Sequence, residues 1–325
     1  IAPVANIEDG AVFADYAPAK VRVAGAMPHP TPLVESAAMA SVPPPDPTYV
    51  PNLPAEAVSK SLSDAQLENV VYAGQAHEKL LPDGTRRGYF IGDGTDVGKG
   101  RQIAAVILDN WRRGRKRAVW VSKSSNLIED AKRDMTDVGL DPSLIHSLNK
   151  VAKSGKPGIS LGDGILFSTY TTLAKGHHGL DADGKLRTAE RKSRLDQLMA
   201  WLGKDFDGVI AFDEAHQAGN AVAIRGERGV KKPSNTGIAV VDLQKVFPKA
   251  RILYVSATGA TEVSNLSYAE RLGIWGAGTP FRDKLKFIQE ISAGGVSAME
   301  IVARDLKSLG SYLARTLSFK GIKFD

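Results

Sequence analysis

Arg87-Gly88-Tyr89-Phe90-Ile91-Gly92-Asp93-Gly94-Thr95-Asp96-Val97-Gly98-Lys99-Gly100-Arg101 reads as a short apolar strand, a glycine-rich turn and the first turn of a helix. Tyr89 to Ile91 supply the strand, Gly92, Gly94 and Gly98 the turn, and a helical pattern from Ile103 to Trp111 follows Lys99. A turn of this kind lets backbone N–H groups converge on an anion at a helix N-terminus, with a lysine reaching the outer phosphates. The strict phosphate-loop pattern is missed twice, because Asp93 stands at its first glycine and Gly100 at its magnesium-binding hydroxyl. Alone, the stretch favours a phosphate loop over a turn that merely joins a strand to a helix. A dinucleotide fingerprint is set aside, since Val97 occupies the place of its third glycine.

Working outward, 43% hydrophobic and 24% charged residues over 325 positions describe an ordinary folded α/β chain rather than a disordered or fibrous one. No apolar run approaches the roughly 20 residues that cross a bilayer, and no charged-then-apolar segment opens the chain. A cytoplasmic setting with no membrane partner is therefore the default expectation. The absence of cysteine excludes thiolate zinc, disulfides and a thiol nucleophile. Residues 1–60 carry three basic side chains against six carboxylates, so that segment is −3 and the remainder, out of a formal +6, is +9. The basic surface belongs to the part with the phosphate loop, where polyanion binding makes sense, although such a charge also serves solubility.

Of the 17 prolines, 11 lie in the first 55 residues, which predicts an extended arm over residues 1–58 that packs on a lobe spanning 59–325. The chain opens on Ile1 rather than methionine and is read as part of something longer. Ser63-Asp64 can cap a helix whose apolar positions Leu67, Val70, Val71 and Ala73 recur with helical spacing. That helix carries Gln66 and Gln75, which could read an adenine edge or simply face solvent. Further strands are expected at 118–121, 165–170, 208–212 and 251–255, with helices at 99–113, from 124 or 125 to 137, and at 187–202. Strands alternating with helices mean a mostly parallel sheet covered by helices on both faces, an α/β fold. Residues 262–325 read as a mostly helical extension.

The strand ending at Phe212 delivers Asp213-Glu214-Ala215-His216 to its carboxyl end, where open α/β sheets bind ligands. Asp213 can hold Mg²⁺ through its water shell and Glu214 can orient and deprotonate an attacking water, although acids also commonly decorate helix N-termini. A third strand, Ile252 to Val255, runs into Ser256-Ala257-Thr258. A lysine phosphate loop, Asp-Glu-Ala-His and Ser-Ala-Thr, in that order, resemble motifs I, II and III of superfamily 2 helicases, whose lobes are RecA-like P-loop domains.

Leu80-Leu81-Pro82, Gly92-Asp93-Gly94, Val97-Gly98-Lys99-Gly100-Arg101, Lys204 to Val209, Ser256 to Ala260 and Leu272-Gly273-Ile274-Trp275-Gly276 narrow this. They resemble the strawberry notch family of helicase-like ATPases, from about residue 25 to the end, in the manner of a bacterial or phage member. The resemblance implies glycine at Gly100 and ATP with Mg²⁺ as cofactors, bound by Gly94, Thr95, Asp96, Val97, Gly98, Lys99, Gly100 and Arg101. It also implies Lys99 on the β and γ phosphates, Asp213 on the metal, Glu214 on the water, and His216, Ser256, Ala257 and Thr258 in coupling. Nucleic acid, DNA rather than RNA, is expected to pass over Ser122, Lys123, Thr169 and Thr261. The loop 225–232 either adds phosphate contacts or is a solvated segment. A second RecA-like lobe, the usual source of an arginine finger worth ~10³ to 10⁵ in rate, has no room in the 67 residues after Thr258. It is expected elsewhere in the same polypeptide, along with possible DNA-modifying domains, so the chain alone should turn ATP over poorly.

One departure stands out: where the family has glycine, this chain has Asp96. A carboxylate about 4 Å from a phosphate at an effective dielectric near 20 costs about 4 kcal/mol if it points inward. Aspartate also tolerates left-handed backbone angles that would turn it outward. Asp96→Gly is accordingly expected to strengthen nucleotide binding.

Overall fold

The computed structural model describes residues 13–187, 193–219, 224–226, 229–257 and 266–318. Seven strands form its central sheet: β3 (Tyr89–Ile91), β4 (Arg117–Ser122), β5 (Ile145–Ser147), β6 (Gly164–Thr169), β7 (Val209–Asp213), β10 (Arg251–Val255) and β11 (Tyr312–Leu313). Their order is β11-β3-β10-β7-β4-β6-β5, and every pairing is parallel.

Alternation along each strand explains why both faces are covered. Phe90, Val119, Val121, Leu166, Ile210, Phe212, Ile252 and Tyr254 point to one side. There they meet Leu195, Leu198 and Trp201 of α4 (Arg194–Leu202), Val240 and Leu243 of α5 (Asn235–Val246), and Phe287, Ile291 and Val302 of α6 (Lys284–Ser308). Tyr89, Ile91, Trp120, Ile165, Phe167, Ala211, Leu253 and Val255 point to the other. That face is covered by α1 (Asp64–His77), α2 (Lys99–Arg112) and α3 (Leu127–Val138). The result is the parallel sheet covered by helices on both faces that the alternation of strands and helices predicts, in the RecA-like P-loop arrangement that the motif resemblance implies. Among the described residues no helix is long and apolar enough to cross a membrane.

Among the described residues, strands from early and late in the chain share one small sheet. The prolines do not keep the arm from pairing: β1 (Phe13–Tyr16) runs antiparallel to β2 (Leu33–Ser36), and β12 (Thr316–Leu317) pairs with the other edge of β2. Residues 42–54 stay irregular, and α1 satisfies their backbone. Tyr72 Oη donates to Pro45 O at 2.7 Å, Gln75 Oε1 accepts from Thr48 N at 2.7 Å, and Gln75 Nε2 donates to Asp46 O at 3.0 Å. The mostly helical reading of 262–325 needs correction, because after α6 the chain turns back to form β11 and β12. Each of these is two residues long, too short for alternation to show in a sequence. They exist because β3 and β2 offer open edges. An antiparallel hairpin of β8 (Ile224–Gly226) and β9 (Gly229–Lys231) lies between β7 and α5.

Candidate active site

Strands β3, β10 and β7 are neighbours in the sheet, so the turns that follow them open side by side. Lys99 begins α2 after β3, and its Nζ donates to Glu214 Oε1 at 3.2 Å, with the two side chains 10% and 21% exposed. Glu214 Oε2 lies 3.6 Å from His216 Nε2, and His216 Nδ1 is hydrogen-bonded to Ser256 Oγ at 2.8 Å. Ser256 N then donates to Ile91 O at 3.0 Å, returning to β3. One chain of polar contacts thus links all three strand ends.

Asp213 ends β7 inside this ring. Its Oδ1 accepts from Glu214 N at 2.9 Å, and Tyr170 Oη donates to its carbonyl at 2.8 Å. Burial pushes the Asp213 carboxyl up to about 6; the Lys99 ammonium opposes that shift and the adjacent Glu214 carboxylate reinforces it. Glu214 itself has φ 49° and ψ 49°, a left-handed conformation that costs on the order of 1 kcal/mol for a residue with a Cβ.

The loop is held from three sides. Gly98 has φ 95°, and a Cβ there would lie 2.3 Å from Gln66 Nε2, so glycine is required both by the backbone angle and by the close approach. That amide donates to Val97 O at 2.8 Å, while the fully buried Val97 side chain clusters with Leu33 and Ala65. The third side is a buried network that the sequence reading missed. Arg315, whose side chain has no exposure, donates from Nε and Nη2 to the two oxygens of Asp93 at 2.8 and 2.9 Å, and from Nη1 to Glu68 Oε1 at 2.9 Å. Asn69 and Gln102 complete the shell of Asp93 at 3.0 and 3.2 Å, and Tyr89 Oη donates to Asn69 Oδ1 at 2.6 Å. Asp93 is therefore the anchor of the loop, not a defective glycine. Its one sequence signal was that it stood where a glycine was expected.

Several expected site residues sit elsewhere in this geometry. Gln66 and Gln75 have both ends of their amides engaged, Gln66 with Ser63 N and Val97 O and Gln75 with the arm, so neither presents a free edge to an adenine. Arg101 donates to Ser61 O at 3.1 Å and to Asp137 Oδ2 at 2.9 Å, which occupies the guanidinium meant for phosphate. Ser122 is fully buried, so its hydroxyl does not reach a passing nucleic acid. Lys123 is exposed, and Thr169 caps a helical turn by accepting from Thr172 N at 3.1 Å. Gly94 donates its N–H to Arg315 O at 2.7 Å, Thr95 is exposed, and Ala257 is partly exposed just past Ser256. Thr258 and Thr261 lie outside the described residues.

Asp96 is exposed with φ 74°. Its charge then acts through water, where a 4 Å pair is worth about 1 kcal/mol rather than 4. Asp96→Gly is expected to tighten binding of a fluorescent ATP analogue by no more than about fivefold in a titration. A larger gain would mean that the carboxylate turns inward when phosphate arrives.

The chain is similar to known proteins along most of its length. The family described as P-loop containing NTP hydrolase pore-1 matches residues 28–325. Protein strawberry notch homolog 1 of Gallus gallus is 48% identical over 316 residues, which is 96% of this chain and 24% of that protein. Protein FORGETTER 1 of Arabidopsis thaliana is 44% identical over 320 residues, 97% of this chain and 23% of that protein. The chain thus spans about a quarter of the length of these relatives. Both come from eukaryotes, so the expectation of a bacterial or phage source finds no support in them. Among solved structures, the Sulfolobus solfataricus SWI2/SNF2 ATPase core domain is similar with TM-score 0.48 and 15% identity, covering 86% of this chain and 46% of that one.

Proposed function

The chain belongs to the P-loop containing NTP hydrolase pore-1 family and carries the helicase-like P-loop domain of the strawberry notch proteins, and on that premise we propose that it binds ATP as the first lobe of a nucleic-acid motor. In the complete motor, hydrolysis of ATP to ADP and phosphate is coupled to binding or remodelling of DNA. The observation that carries this reading is the contact chain Lys99–Glu214–His216–Ser256, which joins three strand ends through one lysine and one carboxylate.

Lys99 exchanges its bond to Glu214 for the β and γ phosphate oxygens. That exchange frees Glu214 to orient a water and accept its proton, while His216 reports the change to Ser256 and so to β10. The donor set fits a hard cation: the Asp213 carboxylate stands at the strand end, and the space a side chain at Gly100 would take, beside Lys99, is filled by the carboxylate of Asp134. Asp213 would hold a magnesium ion through its water shell, and the ion would supply charge neutralisation of the phosphates. Lys123 and Thr169 at the ends of β4 and β6 are the contacts proposed for DNA. A second RecA-like lobe of the same polypeptide is the proposed source of an arginine finger, and DNA-modifying domains are further proposed neighbours.

Lys99→Met tests the reading. Losing a charged hydrogen-bond donor of about 1.5–3 kcal/mol should weaken binding of a fluorescent ATP analogue in magnesium by roughly 10- to 100-fold in a titration. Equal affinity of the two proteins, or none in either, would favour a loop that docks a partner and does not handle nucleotide.

A further inference from the structure

The side chain that explains Gly100 lies outside the phosphate loop. A Cβ built on Gly100 would stand 2.0 Å from Oδ2 and 2.9 Å from Cγ of Asp134, on α3. The carboxylate therefore occupies the volume into which a serine or threonine at this position would grow. That volume has a defined job in phosphate loops, since the hydroxyl after the lysine is the magnesium ligand contributed by the loop.

Asp134 is half-buried and, among the described residues, takes part in no hydrogen bond or ion pair. Its neighbours on α3 are paired differently. Asp137, one turn on, is held by Arg101, and Arg133 is bonded to Asp130. The charge of the Asp213 carboxylate acts on Asp134, and Asp134 stands against Gly100, the residue that follows Lys99. Magnesium is a hard ion that keeps most of its waters and takes one or two protein carboxylates together with phosphate oxygens, so two are enough.

We propose that Asp134 replaces the missing phosphate-loop hydroxyl, serving with Asp213 as a protein carboxylate toward the magnesium ion of a bound nucleotide. The proposal rests on the nucleotide reading above and adds a consequence that reading lacks. A hydroxyl is neutral, whereas a carboxylate repels phosphate until a cation arrives. Nucleotide binding by this chain is thereby made dependent on the metal to a degree that a serine or threonine at Gly100 would not impose.

The test uses ADP as the nucleotide and Mn²⁺ as the metal. Free Mn²⁺ is counted by electron paramagnetic resonance in the presence of the chain and saturating ADP, and ADP binding is measured separately in EDTA. Asp134→Asn is expected to weaken Mn²⁺ by at least about tenfold, the scale on which metal-site changes act, and to strengthen ADP binding in EDTA, because the repelling charge is gone. A merely structural role for Asp134 would not move these two affinities in opposite directions. The double variant Gly100→Ser, Asp134→Ala is expected to recover much of the Mn²⁺ affinity that Asp134→Ala alone loses, since it returns the ligand to the loop. Mn²⁺ affinity that Asp134→Asn leaves within twofold, while ADP still binds, would overturn this proposal alone. Failure of the unaltered chain to bind ADP with or without metal would overturn the nucleotide reading and this proposal with it.

Discussion

Glu214→Gln is expected to lower single-turnover ATP hydrolysis of the full-length protein by about 10²- to 10⁴-fold, the usual loss when a positioned general base goes, while nucleotide binding tightens. Glutamine keeps the size of the side chain and can still accept from Lys99, so the 3.2 Å contact does not leave a void. What it loses is the charge that competes with phosphate for the lysine. A partly buried pair of this kind is worth about 1 kcal/mol, so affinity should rise by roughly fivefold. Opposite changes in affinity and turnover distinguish a base from a structural residue, which would degrade both. Glu214 is also held by its backbone, in the left-handed region and with its N–H on Asp213, so the substitution should not displace the turn. Hydrolysis that survives the change, with DNA and without it, would remove Glu214 from the mechanism.

What was legible in the sequence was whatever is local. Each of β3, β7 and β10 contains a run of consecutive apolar residues that leads at once into its own polar turn. Lys99, Asp213, Glu214, His216 and Ser256 could therefore be placed at carboxyl ends without knowing the sheet order. Adjacency of those three strands then brings the turns together. The capped start of α1 at Ser63 was legible for the same reason, because the capping box with Gln66 spans four residues.

The parts that stayed hidden depend on partners far along the chain. Asp93 looks like a lost glycine until Arg315, 222 residues away, is seen to hold it. Gly100 looks like a lost hydroxyl until Asp134 is seen to fill its space. Gln66 and Gln75 looked available because a helix pattern does not tell which side chains a neighbouring irregular segment will recruit. In each case the residue type at one position is explained by a side chain on another element. A single sequence, read by propensity and spacing, does not contain that pairing.

Arg315→Met is expected to destabilise the chain by about 3–5 kcal/mol, the cost of breaking a buried charge network by removing one member. The side chain has no exposure and spends all three guanidinium nitrogens on two carboxylates, with Cζ 5.3 Å from the centre of the Tyr16 ring. Methionine fills much of the volume but leaves Asp93 and Glu68 facing each other without a cation. Burial already pushes the Glu68 carboxyl up, with Arg315 as the largest opposing influence, so without the arginine Glu68 should take up a proton on folding. Arg315→Lys should not rescue the fold, because one ammonium does not reproduce a planar fork that grips both oxygens of Asp93 and reaches Glu68 as well. The triple variant Glu68→Gln, Asp93→Asn, Arg315→Met should recover much of the loss, since it removes the stranded charges along with their partner. Equilibrium denaturant unfolding of the three variants and the unaltered chain checks the ranking. A loss below about 1 kcal/mol for Arg315→Met would mean that Asp93 is satisfied by Asn69, Gln102 and the Arg315 N–H alone. Because the same arginine donates that N–H to Asp93 and offers its carbonyl to Gly94, the variant should loosen the base of the phosphate loop even where the fold survives. Faster hydrogen exchange at Gly94 than in the unaltered chain, measured under conditions where both are folded, is the expected sign.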